Sequence, residues 1–199
     1  MTKNLLIIFV KNPELGKVKT RLAATVGNIE ALRIYQLLLD RTRNITADLA
    51  CDKIVYYAGF IPELDSWDKE IYQKTVQEGA DLGIRMLHAF EQGFQAGYTR
   101  ICIIGSDCYE LTPSILDQAF EELQTKEVVI GPSTDGGYYL LGMNSLQPEL
   151  FQNKNWSTAT VLPETLETLQ EKALAYGLLP VLTDIDEEKD LHTLNVVSG

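Results

Sequence analysis

The stretch LLIIFV at Leu5–Val10 contains no polar residue. A strand that does not alternate apolar and polar residues has no face to give to water, so both of its faces must be covered. The cover is written just downstream. In Ile29–Ala50 the apolar residues Leu32, Tyr35, Leu38 and Leu39 fall three and four apart, the period of an amphipathic helix. Further strands are expected at Lys53–Gly59, Tyr72–Gln77, Arg100–Asp107, Glu127–Pro132, Tyr138–Met143 and Leu178–Asp186. Helices are expected at Asp81–Gly97, Leu111–Gln124, within Ala159–Gly177 and at Glu187–Leu194. Thr112 and Pro113 suit the N-cap and first turn of their helix. Ile61–Gln73, with Pro62 and several charges, is read as a short helix.

Strands and helices alternate over short connections. That pattern predicts an α/β fold, a three-layer sandwich on a mostly parallel, Rossmann-like sheet. The close strand pair around Ser133–Gly137 implies one antiparallel insertion. With 199 residues, no repeat and no linker-like tract, residues 1–199 read as one domain.

Charge excludes several functions. Asp and Glu total 28 against 17 Lys and Arg, a formal net charge of −11. No broad basic face is left to neutralise nucleic-acid phosphates or to dock on an anionic membrane. The three cysteines, Cys51, Cys102 and Cys108, form no CxxC pair and imply reduced thiols and a cytoplasmic setting. The two histidines, His88 and His192, sit in no HExxH motif, and no GxSxG occurs.

On this acidic background, KNPELGKVKTRLA (Lys11–Ala23) places Lys17, Lys19 and Arg21 close together after the first strand. Neither a P-loop nor GxGxxG is present. Pro13 and Gly16 shape a tight loop, and the following helix start would favour an anion. The cluster suits a polyphosphate; it equally suits a solvated helix start paired with surface carboxylates. Asp107, just after a buried strand, is either a turn cap or a ligand for Mg²⁺ or Mn²⁺. Asp186 could supply a second carboxylate, as could Asp184, or it could cap the last helix. In STDGG, Gly136 and Gly137 form a simple turn or let backbone approach a ligand, with Asp135 facing the site as a hydroxyl binder or general base.

Six stretches in order resemble one bacterial group: Lys11–Ala23, Gly79–Met86, Ile103–Cys108, Gly131–Met143, Trp156–Thr158 and Thr183–Leu191. The chain resembles the DUF2064, glycosyltransferase A-like members of the nucleotide-diphospho-sugar transferase superfamily, related to the molybdenum-cofactor and phospholactate guanylyltransferases. It departs from the group at Tyr109, where proline is usual, and at Ile84, often acidic. The resemblance implies a Rossmann-like three-layer sandwich. It implies that Lys11, Gly16, Lys17, Lys19, Arg21, Asp81 and Gly83 border the phosphates of a nucleotide or nucleotide sugar. It implies Asp107 as the metal aspartate, with Asp186 favoured as its companion. It places Asp135, Gly136, Gly137, Tyr138, Trp156, Ser157 and Thr158 against the acceptor or sugar. Lys19, Arg21, Asp107 and Asp135 become the candidate catalytic residues.

The expected function is a divalent-metal-dependent transferase, with a nucleotide-sugar donor and a small-molecule acceptor. Nucleotidyl transfer from a nucleoside triphosphate is the alternative, and a non-catalytic nucleotide-binding module is the reading from another class. Homo-oligomerisation is left open.

Overall fold

The computed structural model describes residues 3–152 and 154–195. Seven strands form one sheet: β1 (Asn4–Val10), β2 (Asp52–Tyr57), β3 (Gln73–Val76), β4 (Arg100–Ile104), β5 (Val128–Pro132), β6 (Tyr138–Met143) and β7 (Tyr176–Leu178). Their order is β3-β2-β1-β4-β6-β5-β7. Only β6 runs against its neighbours β4 and β5. The helices are α1 (Thr20–Val26), α2 (Asn28–Thr46), α3 (Leu82–Gln95), α4 (Pro113–Glu122) and α5 (Val161–Glu171), with 3-10 segments at Pro148–Phe151 and Glu188–Asn195. The α/β fold expected from the alternation is the one observed.

The pleat of β1 explains its unbroken apolar run. Leu6, Ile8 and Val10 pack with Leu116 and Phe120 of α4 and Ile45 of α2. Leu5 and Ile7 pack on the opposite face with Met86, Ala89 and Phe90 of α3 and Leu169 of α5. Leu5, Leu6, Ile7 and Ile8 are fully buried, each contributing about 1.5–3 kcal/mol of transfer free energy. Thr112 caps α4 as its sequence predicts, accepting the Ile115 N–H at 3.4 Å, with Pro113 in the first turn.

Three segments differ from expectation. Residues 61–72 contain no helix. Asp65 accepts the Trp67 N–H at 3.0 Å and Asp68 accepts the Glu70 N–H at 2.9 Å, and such local side-chain bonds compete with helical ones. The last strand is Tyr176–Leu178, not Leu178–Asp186. Pro180 lacks the N–H that a continuing ladder needs. Beyond it the chain makes single bridges, Leu182 to Ser133 and Asp184 to Cys108. The closing helix is 3-10 rather than α.

From β1 the chain winds to β2 and β3 on one side, and β4 lies on the other. The switch point of this doubly wound sheet therefore falls between the carboxyl ends of β1 and β4, where open α/β sheets bind ligands. The single bridge at Asp184 carries the C-terminal segment to the same edge.

Candidate functional site

The residues after β1 and β4 are tied together by α2. Tyr35 accepts the Lys11 N–H at 2.8 Å, and its hydroxyl lies 3.1 Å from the Lys11 carbonyl and 3.3 Å from Ser106 Oγ. Burial raises the Tyr35 pKa far above the ordinary tyrosine value, so it stays a neutral strut. Asn12 pins the same loop to the end of β2, accepting the Gly59 N–H at 3.1 Å and donating to the Phe60 carbonyl at 2.8 Å. Gly16 takes a positive φ of 75° in the turn. Lys19 also has a left-handed backbone, with φ 48° and ψ 45°, which costs free energy for a side-chain-bearing residue.

That backbone turns the Lys19 side chain inward until only 4% of it is exposed. Its Nζ stands 2.7 Å from Asp107 Oδ1 and 3.2 Å from Asp186 Oδ1. Burial alone would lower its pKa, but the Asp107 and Asp186 carboxylates outweigh it and hold the value above that of an ordinary lysine. Arg21 is 63% exposed and donates to Asp186 Oδ2 at 2.5 Å. Two of the three cations in the loop are thus collected on the aspartates. Lys17 points elsewhere: it is 70% exposed and pairs with Glu14 at 2.6 Å. The Lys17 pairing is local, with a carboxylate three residues away on the surface.

The aspartates are held by their backbones. The Asp107 carbonyl accepts the Ile185 N–H at 2.9 Å. Its side chain pairs with Lys19 instead of capping the turn. The loop beyond it is clamped by Arg41, which donates to the Tyr109 and Leu111 carbonyls at 3.2 Å each and lies 5.4 Å over the Tyr109 ring. Asp190, buried, accepts the Asp186 and Glu187 N–H groups at 3.1 and 2.8 Å. It thereby does the capping in place of Asp186 and leaves the Asp186 side chain to Lys19 and Arg21. Burial, then the nearby Asp107 charge, push the Asp184 carboxyl up to about 7.

Asp107, Asp184 and Asp186 all border one cleft of about 660 Å³, within the size range of small-ligand sites. Lys11, Arg21, Asp135, Gly137, Tyr138, Trp156, Ser157 and Thr158 line it too, over an apolar floor that includes Phe9, Met86, Ile103 and Leu141. An inner recess of about 70 Å³ is lined by Lys11, Lys19, Thr20, Arg21, Tyr35, Asp107 and Asp186. Arg85 of α3 lines the main cleft and adds a cation that sequence spacing did not single out. Its guanidinium donates to the Gly79 carbonyl at 3.0 Å.

Of the remaining candidates Asp135 lines the cleft, whereas Asp81, Gly83 and Gly136 are not among its lining residues. Asp81 caps α3, accepting the Ile84 N–H at 2.9 Å. Gly83 lies under the Trp156 indole; a Cβ there would sit 2.2 Å from Nε1. Gly136, at φ 89°, lies against the Trp156–Ala159 segment, and a Cβ would come within 2.4 Å of the Ala159 carbonyl oxygen. These two glycines permit a close approach, but of the protein's own loop. Asp135 accepts the Gly137 N–H at 2.9 Å, which fixes its carboxylate at the cleft wall.

Among the described residues, no three His, Cys, Asp or Glu groups converge to hold a metal unaided. The donor set is nonetheless hard oxygen, and Lys19 meets Asp107 through Oδ1. Two carboxylates completed by substrate phosphates are the usual provision for Mg²⁺. The residues fit an ion that arrives with a phosphate-bearing ligand.

The family described as uncharacterized protein conserved in bacteria (DUF2064) matches residues 41–158. A crystal structure from Desulfovibrio desulfuricans G20, provisionally assigned as a nucleotide-diphospho-sugar transferase, is 34% identical with a TM-score of 0.92, covering 100% of this chain and 90% of that one. The inositol-1-phosphate CTP transferase from T. maritima is 11% identical with a TM-score of 0.57, covering 96% and 92%. Rv0371c from Mycobacterium tuberculosis H37Rv, in complex with manganese, is 13% identical with a TM-score of 0.55, covering 97% and 98%. The last two share the fold. No curated protein matches the sequence.

Proposed function

The chain belongs to the DUF2064 family of bacterial proteins, and from that premise we propose that it is a divalent-metal-dependent transferase acting on a nucleotide-activated donor, with a nucleotide sugar as that donor. The observation that carries this is the convergence of Asp107 and Asp186 on Lys19, at the switch point of the sheet and beside a cleft of about 660 Å³. The 34%-identical relative carries the same assignment of donor class.

Asp107 and Asp186 are the residues that would hold Mg²⁺ or Mn²⁺. Such an ion supplies Lewis-acid stabilisation of charge on a diphosphate leaving group. Lys11, Arg21 and Arg85 face the cleft and neutralise phosphate charge there. Asp135, fixed by the Gly137 N–H, is the candidate base for an acceptor hydroxyl. Tyr138 and Trp156 give an apolar and aromatic wall suited to the faces of a sugar ring or acceptor.

A second reading is nucleotidyl transfer, in which an acceptor phosphate attacks a nucleoside triphosphate and pyrophosphate leaves. Its support is the shared fold of the T. maritima CTP transferase. Products separate the two: nucleoside diphosphate from sugar transfer, pyrophosphate from nucleotidyl transfer. Incubation with a panel of nucleotide sugars and nucleoside triphosphates, with Mg²⁺ or Mn²⁺ and mixed small-molecule acceptors, tests both. Saturable binding with neither product would support a non-catalytic binding module instead.

A further inference from the structure

Lys19 is not free to receive a phosphate. Its ammonium bridges Asp107 Oδ1 and Asp186 Oδ1, and Arg21 takes the other Asp186 oxygen at 2.5 Å. Both oxygens of Asp186 are therefore committed to the protein's own cations. A divalent ion bridging the same two carboxylates would lie within a few ångströms of the Lys19 ammonium, and like charges that close repel strongly. Nor is Lys19 a mobile surface chain that could swing aside into water: it is almost wholly buried, on a left-handed backbone that aims it inward.

We propose that Lys19 is the resident counter-ion of the metal carboxylates, so that the divalent ion does not load alone but enters as the chelate of a diphosphate group. The diphosphate gives Lys19 and Arg21 replacement anions and gives the ion replacement oxygen ligands. The proposal rests on the metal-dependent reading above and deepens it: Lys19 and Arg21 keep the site without nucleotide electrostatically closed to metal. Its direction is opposite to that of a lysine that merely preorganises the two carboxylates, whose loss would weaken metal binding.

The test is Mn²⁺ binding followed by the electron paramagnetic resonance signal of the free ion, first with Mn²⁺ alone. Wild type is expected to bind weakly, and Lys19→Met at least about tenfold more tightly, because a like charge has been removed from the ligands. Adding Asp107→Asn to that variant should abolish the gain. Arg21→Gln, whose side chain is exposed, should show a smaller gain by releasing Asp186 Oδ2. It decides the matter if Lys19→Met does not fold. Addition of a nucleoside diphosphate should bring Mn²⁺ onto wild-type protein beyond what the free nucleotide chelates. Equal or weaker Mn²⁺ binding by Lys19→Met, or by Arg21→Gln where only that variant folds, overturns the counter-ion role alone. Failure of every protein to take up Mn²⁺, with or without the nucleoside diphosphate, overturns both this role and the metal-dependent reading.

Discussion

The carboxylate of Asp190 accepts the backbone N–H of Asp186 at 3.1 Å, so a residue outside the cleft lining sets the position of one inside it. Replacing it leaves two N–H groups without their acceptor. Asp190→Ala should lower stability by roughly 1–2 kcal/mol, the scale of a lost helix cap. Activity should fall about 10–100-fold, as when a ligand loses its outer support. Asp190→Asn, which keeps an acceptor oxygen, should recover much of both. Thermal unfolding and turnover measured side by side check this; an unchanged turnover in Asp190→Ala would contradict the positioning role.

Gly83 and Trp156 meet too closely for any Cβ between them. Gly83→Ala should displace the indole and cost roughly 1–3 kcal/mol, as overpacking does. Of the two tryptophans, Trp67 is buried away from the cleft, so a Trp67→Phe background leaves Trp156 as the reporter. Its emission should shift to the red in Gly83→Ala. An unshifted spectrum with unchanged stability would show that the wall relaxes without cost.

Acid should loosen the segment after β2. Burial alone would raise the Asp65 pKa, but hydrogen bonds from Lys74, Tyr57 and the Trp67 N–H prevail and hold it below the ordinary aspartate value. A depressed folded pKa stabilises above the unfolded value, about 3.9, and that contribution is lost as pH falls through the folded pKa. Asp65→Asn should therefore lower the melting temperature at pH 7, by an amount corresponding to roughly 1–2 kcal/mol. The gap should narrow below about pH 4. A gap independent of pH would contradict the assignment.

Asp184 has the opposite sign. Its folded pKa of about 7 lies above the unfolded value, so the folded state binds the proton more tightly. Stability contributed by that proton is complete below about pH 4 and is lost as pH rises through about 7. Asp184→Asn, which mimics the protonated form, should raise the melting temperature at pH 8 and change it little at pH 4. A gain of about 1 kcal/mol would appear as roughly 2–4 °C in a chain of this size. A melting temperature raised equally at both values would point to packing rather than charge.

Local signals were legible where one stretch of sequence decides the outcome. The apolar run of β1, the Thr112–Pro113 helix start and the antiparallel pair around Ser133–Gly137 all appear as their residues predict. Residues 61–72 misled because Asp65 and Asp68 bond backbone groups two residues on, and helical periodicity carries no trace of that competition. The cationic loop is legible in the sequence, but the partners of its side chains are not. Lys17 has a carboxylate three residues away, whereas Lys19 meets one 167 residues away. Spacing could not show that the second lysine pairs with Asp107 and Asp186. Arg41, Arg85 and Asp190 were missed for the same reason: each acts on residues that only the folded sheet brings near.

The most direct test of the transferase assignment is product formation from nucleotide sugars by wild-type protein and by Asp107→Ala, each with Mg²⁺ or Mn²⁺ and after chelation. The account predicts release of a nucleoside diphosphate from one donor, dependent on the divalent ion and abolished in Asp107→Ala while its melting transition persists. Release that survives chelation, or near-normal turnover in a folded Asp107→Ala, would contradict it.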